Sequence, residues 1–91
     1  MSQHRIELKP GEVLFREGDP PDCAFLVQAG TLQITTGPDQ RTLAEVRAGE
    51  LLGEMAVIDR SPRTATATAI DSCVLVPITP EQIAERLLNT D

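Results

Sequence analysis

Aromatic residues and histidine are scarce in this chain. Phe15 and Phe25 are its only aromatic residues, and Trp and Tyr are absent. The core must therefore be built mainly from aliphatic side chains. His4 is the single histidine. The usual His-rich metal sites therefore lack ligands, and a nucleophilic Ser or Cys lacks a histidine base. We expect no metal, no cofactor and no catalysis, so the chain is predicted not to be an enzyme.

Basic residues are outnumbered by acidic ones. Eight Lys and Arg face fourteen Asp and Glu, which gives a formal net charge of −6. This balance repels polyanions such as DNA, RNA and anionic membrane surfaces. We therefore expect neither nucleic acid nor membrane as a partner of this chain alone.

Long apolar runs and paired cysteines are also missing. No run approaches the roughly 20 residues that span a bilayer, and no apolar signal segment follows the polar residues 1–4. We expect a cytoplasmic location. Cys23 and Cys73 each open an apolar, strand-like run, which favours small buried side chains over a disulfide.

The length of 91 residues is enough for one modest core, so residues 1–91 are predicted to form a single domain. Apolar and polar residues alternate with a period of two, as in the segment 64–69, and turn clusters rich in Gly, Pro and Asp separate the short runs. This spacing is typical of a β sandwich or barrel and not of βαβ units. The predicted strands lie near residues 5–8, 12–16, 24–29, 31–36, 41–46, 64–69 and 73–78.

The pattern changes at the C-terminal end, where a helix is predicted over residues 80–89. Thr79 suits the N-cap, Pro80 the first helical position, and Gln82 the third position of a capping box. Apolar residues then recur at helical spacing and need a surface to cover them. They are Ile83, Ala84, Leu87 and Leu88.

The residues around Gly53 form the most informative motif. Gly53 and Glu54 are followed, after a short loop, by Arg63. A glycine allows a ligand to approach the backbone amides, and a guanidinium makes a forked, charge-assisted contact with an anion. The motif therefore predicts a pocket for a small phosphorylated ligand.

With its surroundings, this motif resembles the phosphate-binding cassette of cyclic nucleotide-binding domains. The matching blocks are Gly53-Glu54-Met55-Ala56 with Arg63-Thr64-Ala65, the upstream Gly11–Asp19, and the strand Phe25–Gly30. The resemblance implies a mainly β fold, an antiparallel jelly-roll-like β barrel over about residues 5–78. It also implies a cassette with a short helix at about 49–65, and a C-terminal helix.

The resemblance also implies a role for each residue of the site. Glu54 would accept a hydrogen bond from the ribose 2′-OH, and Arg63 would pair with the exocyclic oxygens of the cyclic phosphate. Both roles suit the chemistry, because a carboxylate accepts from a hydroxyl and a guanidinium fork matches phosphate oxygens. Backbone amides of the remaining residues would line the pocket. These are Gly53, Met55, Ala56, Thr64 and Ala65.

Two alternatives concern the ligand and the function. The hydroxyl of Thr64 can accept from the exocyclic amine of guanine, yet related domains with this residue also take cyclic AMP, so we favour cyclic AMP over cyclic GMP. Glu54 and Arg63 could instead pair only with each other on a solvated loop. A barrel without ligand would then serve as a protein-interaction or oligomerisation module, and a metal-dependent enzyme on a similar barrel lacks the histidines it would need.

The resemblance further implies a regulatory output. Ligand binding would draw residues 53–63 inward and shift the docking of the helix that starts at Pro80, and this shift would reach an effector domain or a protein partner. We also expect a homodimer that pairs through this helix.

Overall fold

The computed structural model describes residues 4–88, with the side chains of residues 4–85, and it contains two antiparallel four-stranded sheets and two short helices. The strands are β1 (Ile6–Leu8), β2 (Val13–Phe15), β3 (Ala24–Ala29), β4 (Thr31–Thr36), β5 (Arg41–Arg47), β6 (Leu51–Leu52), β7 (Thr66–Ala69) and β8 (Cys73–Ile78), and the helices are α1 (Glu54–Asp59) and α2 (Pro80–Leu88). The strand orders are β1-β8-β3-β6 and β2-β7-β4-β5. The predicted jelly-roll-like fold class is confirmed, although the two sheets do not join into a closed barrel.

The alternating pattern located seven of these strands to within two residues at each end. The strand that it missed is β6, which pairs with Phe25 and Leu26 of β3 and leads directly into α1. Two residues are too few to show a period of two, so β6 has no signature in the sequence. The assignment of all 91 residues to one domain stays a prediction.

The core lies between the two sheets and is mainly aliphatic. Leu32 and Leu75 are fully buried at its centre, one from each sheet. Along β7, the side chains of Ala67 and Ala69 point into the core, while Thr66 and Thr68, which alternate with them, stay half-buried. This alternation is the one that the repeated Thr-Ala pattern predicts.

Both cysteines are free. Cys73 is buried in the core and Cys23 is half-buried beside it, as expected for small apolar residues. Burial raises the pKa of both thiols, and the neighbouring carboxylates Asp22 and Asp71 raise it further.

A reciprocal capping box begins α2. The backbone N–H of Gln82 donates to Thr79 Oγ1 at 3.1 Å, and the N–H of Thr79 donates to Gln82 Oε1 at 2.8 Å. Ile83 is buried and packs in a cluster with Val57 of α1, whereas Ala84 of the predicted apolar face is exposed. The side chains of Leu87 and Leu88, and residue 89, lie outside the described residues. In the described part of the chain, neither helix has the length and apolar character needed to cross a membrane.

Candidate functional site

A cavity of about 300 Å³ lies where β6 leads into α1. All seven residues that the sequence nominated for the ligand line it, together with four apolar residues that the sequence did not nominate. The four additional residues come from β2, β4 and β6; the two from β6 directly precede Gly53 in the sequence, and the other two are brought to this place by the fold. They are Phe15, Ile34, Leu51 and Leu52.

Gly53 joins β6 to α1 and has a backbone conformation that favours glycine. Its φ is 82°, in the left-handed region. A Cβ atom here would also lie only 2.6 Å from Nη1 of Arg63. Position 53 therefore favours glycine for two reasons: its backbone angle, and the space that the guanidinium occupies.

Arg63 is a buried cation in the cavity wall, with 4% of its surface exposed. Its Nη1 donates to the carbonyl oxygen of Gly53 at 3.0 Å, and its Nη2 donates to the carbonyl oxygen of Cys23. The guanidinium carbon lies 4.3 Å from the centroid of the Phe15 ring, which is a cation–π distance. These contacts hold the guanidinium in one orientation against the cavity.

One donor of this side chain is not satisfied. Arg63 Nε is buried and has no hydrogen-bond partner among the residues that the structure describes. Buried polar groups are nearly always paired, and an unpaired donor on a charged group is especially costly. A ligand oxygen that reached this nitrogen would supply the missing acceptor.

The main chain of Arg63 is held by the loop between β2 and β3. The N–H of Gly18 donates to the carbonyl oxygen of Arg63 at 2.8 Å, and the N–H of Arg63 donates to the carbonyl oxygen of Asp19 at 2.9 Å. From the same loop, a carboxylate oxygen of Asp22 lies 3.5 Å from Arg63 Nη2. The loop thus positions both the backbone and the side chain of the arginine.

Glu54 lines the cavity without engaging the arginine. It is the first residue of α1 and is half-buried. No ion pair joins it to Arg63 in the described part of the chain, where the arginine pairs with Asp22. The alternative, in which Glu54 and Arg63 pair only with each other, is therefore not observed among the described residues. The Glu54 carboxylate can accept a hydrogen bond from another donor.

The other nominated residues differ in exposure. Met55 is 62% exposed, and Ala65 is buried. Thr64 is exposed, and its carbonyl oxygen accepts a hydrogen bond from the Thr36 hydroxyl at 3.4 Å. The structure brings these residues to the same cavity, and their individual roles toward a ligand stay predictions.

The described residues 4–88 contain no group of three or more His, Cys, Asp or Glu that could hold a metal ion.

Comparison with known families gives one clear match. A family model described as the cyclic nucleotide-binding domain matches residues 5–90. The match covers both sheets, the cavity and α2.

Individual relatives are similar over much of this chain. It is 34% identical over 81 residues to the cGMP-dependent protein kinase of Toxoplasma gondii, which is 89% of this chain and 8% of the kinase. It is also 34% identical over 71 residues to the cyclic AMP receptor protein of Thermus thermophilus, which is 75% of this chain and 33% of that protein. The chain thus spans about a third or less of the length of these relatives.

A solved structure is similar over nearly the whole chain. The EAL enzyme Bd1971 in its cGMP-bound form superposes with a TM-score of 0.88 at 31% identity, covering 97% of this chain and 24% of that enzyme. The cAMP-bound form of the same enzyme gives a TM-score of 0.86 at the same identity.

Proposed function

The chain belongs to the cyclic nucleotide-binding domain family. We propose that its cavity binds a cyclic nucleotide through Arg63, and that this binding changes the activity of an effector. The observation that carries the proposal is the unpaired Nε of a buried arginine in the cavity wall. A cyclic phosphate would bring both the acceptor oxygen that Nε lacks and a negative charge that compensates the guanidinium.

The charge of the site supports an anionic ligand. Of the lining residues, Arg63 is the one cation, and its two η nitrogens donate to main-chain carbonyl oxygens, which are neutral acceptors. A buried charge is costly unless it is paired, and the ion pair with Asp22 is long at 3.5 Å. A phosphate in the cavity would complete the pairing.

Glu54 supports a ribose next to that phosphate. Its carboxylate lines the same cavity as Arg63 and has no ion-pair partner in the described part of the chain. Because an ionised carboxylate only accepts hydrogen bonds, it suits the 2′-OH of the ribose. The backbone amides that follow Gly53 and Arg63 complete the pocket in this proposal.

Cyclic AMP is the ligand that we propose ahead of cyclic GMP. The relevant side chain is Thr64, whose hydroxyl could accept from the amine of guanine. Thr64 is exposed, and a hydrogen bond that competes with water contributes little net affinity. Guanine would thus gain little over adenine at this position.

The route to an effector runs through the two helices. α1 begins at the cavity, and its Val57 packs in one cluster with Ile83 of α2. We propose that ligand binding repacks this cluster and moves α2, which contacts an effector domain, a protein partner or a second copy of the chain. The ligand can do so only if it binds one packing more tightly than the other.

Titration calorimetry with cyclic AMP and cyclic GMP tests the binding step. Removing the Arg63 side chain in Arg63→Ala takes away a charge-assisted contact, so affinity should fall by at least about tenfold to a hundredfold. Arg41→Ala is the matched control, because it removes the same charge from an exposed strand position. Circular dichroism verifies that both variants fold.

A thermal scan separates this proposal from the rival one, a protein-interaction module that takes no nucleotide. A ligand that binds only the folded chain stabilises it by about 2.7 kcal/mol at a hundred times its dissociation constant. An unchanged melting temperature at millimolar cyclic AMP and cyclic GMP would favour the rival.

A further inference from the structure

An exposed carboxylate stands beside the buried cation of the site. Asp22 Oδ1 lies 3.5 Å from Arg63 Nη2, and the two side chains are 83% and 2% exposed. Nη2 donates one of its two N–H groups to the carbonyl oxygen of Cys23, and it makes no hydrogen bond to Asp22 among the residues that the structure describes. Asp22 therefore acts on the guanidinium through its charge and not through a hydrogen bond.

The charges of Glu54, Arg63 and Asp22 sum to one negative unit before a ligand binds. Glu54 and Arg63 are the charged residues among the described ones that line the cavity, and their charges cancel. Asp22 adds one negative charge beside the guanidinium. A cyclic phosphodiester brings one further negative charge, whereas a phosphomonoester brings nearly two at neutral pH.

We propose that Asp22 is a specificity-determining residue that disfavours phosphomonoesters such as adenosine 5′-phosphate relative to singly charged phosphodiesters. The proposal rests on the proposed function, because it assumes that the phosphate binds at Arg63. Repulsion from Asp22 acts once on a monoanion and twice on a dianion, so it discriminates by charge whatever the shape of the ligand. A carboxylate that is largely exposed can do this without disturbing the hydrogen bonds that hold Arg63.

The experiment compares two linear ligands that differ in charge. Adenosine 5′-phosphate and its methyl ester share one scaffold, and the ester carries one charge fewer. Each is used to displace a fluorescent cyclic AMP analogue from the wild-type chain, from Asp22→Asn and from Asp39→Asn. Asp39 is an exposed residue of the β4–β5 turn, so its variant is the control for an equal change in net charge.

Asp22→Asn should tighten binding of the monoester about threefold to tenfold more than binding of the methyl ester, which is the effect of one unit charge several ångströms away. Asp39→Asn should leave the ratio of the two inhibition constants unchanged. In the wild-type chain, the inhibition constant of the monoester divided by that of the methyl ester should decrease between about 20 mM and about 500 mM salt, because salt screens an exposed carboxylate. The salt series needs no variant.

The outcomes separate the two proposals. An equal change for both ligands, or no competition by the monoester with either chain, would overturn the role of Asp22 and leave the proposed function intact. A salt-independent ratio would also overturn it. A wild-type chain that fails to bind the cyclic AMP analogue would overturn the proposed function, and the role of Asp22 with it.

Discussion

Arg63 Nη1 donates a hydrogen bond of 3.0 Å to the carbonyl oxygen of Gly53, ten residues earlier in the chain. This bond ties the buried cation to the turn from which α1 begins. The guanidinium also fills the space that a side chain at position 53 would need. The orientation of Arg63, the residue proposed to bind phosphate, and the glycine turn therefore depend on each other.

Gly53→Ala should weaken cyclic nucleotide binding by at least about tenfold, because the new Cβ would displace the guanidinium by a clash at 2.6 Å. Gly37→Ala is the control, since Gly37 has nearly the same φ, 80° against 82°, and open space around it. Both variants should lose stability of about 1 kcal/mol from backbone strain. Calorimetry and thermal melting of the pair separate strain from displacement, and equal affinities would contradict the mechanism.

Phe15→Leu should reduce affinity by about threefold to tenfold, because it removes the ring 4.3 Å below the guanidinium, a contact that contributes about 0.5–2 kcal/mol. Phe25→Leu is the comparison, since its ring centroid lies 5.8 Å from the same atom. Phe25 is the more deeply buried ring, so its variant should lose more stability and less affinity. Binding isotherms and chemical denaturation of both variants test this reversal.

The strands and the glycine motif could be predicted from the sequence because their signals are local. A period of two located seven strands, and the capping box at Thr79 and Gln82 located the start of α2. The nominated residues from Gly53 to Ala65 line one cavity because a short helix and loop connect them.

The parts that the sequence did not reveal depend on distant contacts. Asp22 lies about forty positions from Arg63, and its ion pair exists only because the β2–β3 loop runs beside residue 63. Phe15 and Ile34 join the cavity through strand pairing. No local period or spacing marks such residues, so their place in the site requires the fold.

Stability should fall as the pH rises above about 8.5, the ordinary thiol pKa, because burial raises the pKa of Cys23 and Cys73 in the folded chain. The folded chain then holds more protons than the unfolded one, so the stabilisation is complete below the ordinary value and is lost as the pH passes the raised value. With no Tyr and a single lysine, few other groups titrate in this range.

Denaturant titrations from about pH 7 to about pH 10 measure this dependence on the wild-type chain and on the double variant Cys23→Ala with Cys73→Ala. The double variant should show a flatter profile of unfolding free energy against pH. Parallel profiles would mean that the thiols are not its source.

Thr79→Ala should lower the stability of α2 by about 0.5–2 kcal/mol, because it removes the hydroxyl that accepts the Gln82 N–H. Thr79→Ser keeps the hydroxyl and serves as the control. Hydrogen exchange should show faster opening at Ile83, whose N–H donates to the Thr79 carbonyl oxygen.

The same variant tests whether α2 is coupled to the ligand. Thr79 and Ile83 do not line the cavity, so a change in cyclic nucleotide affinity in Thr79→Ala, and not in Thr79→Ser, would mean that ligand binding and the opening of α2 are coupled. An unchanged affinity, together with faster exchange, would mean that α2 opens independently of the site, and the proposed route through Val57 and Ile83 would then be wrong.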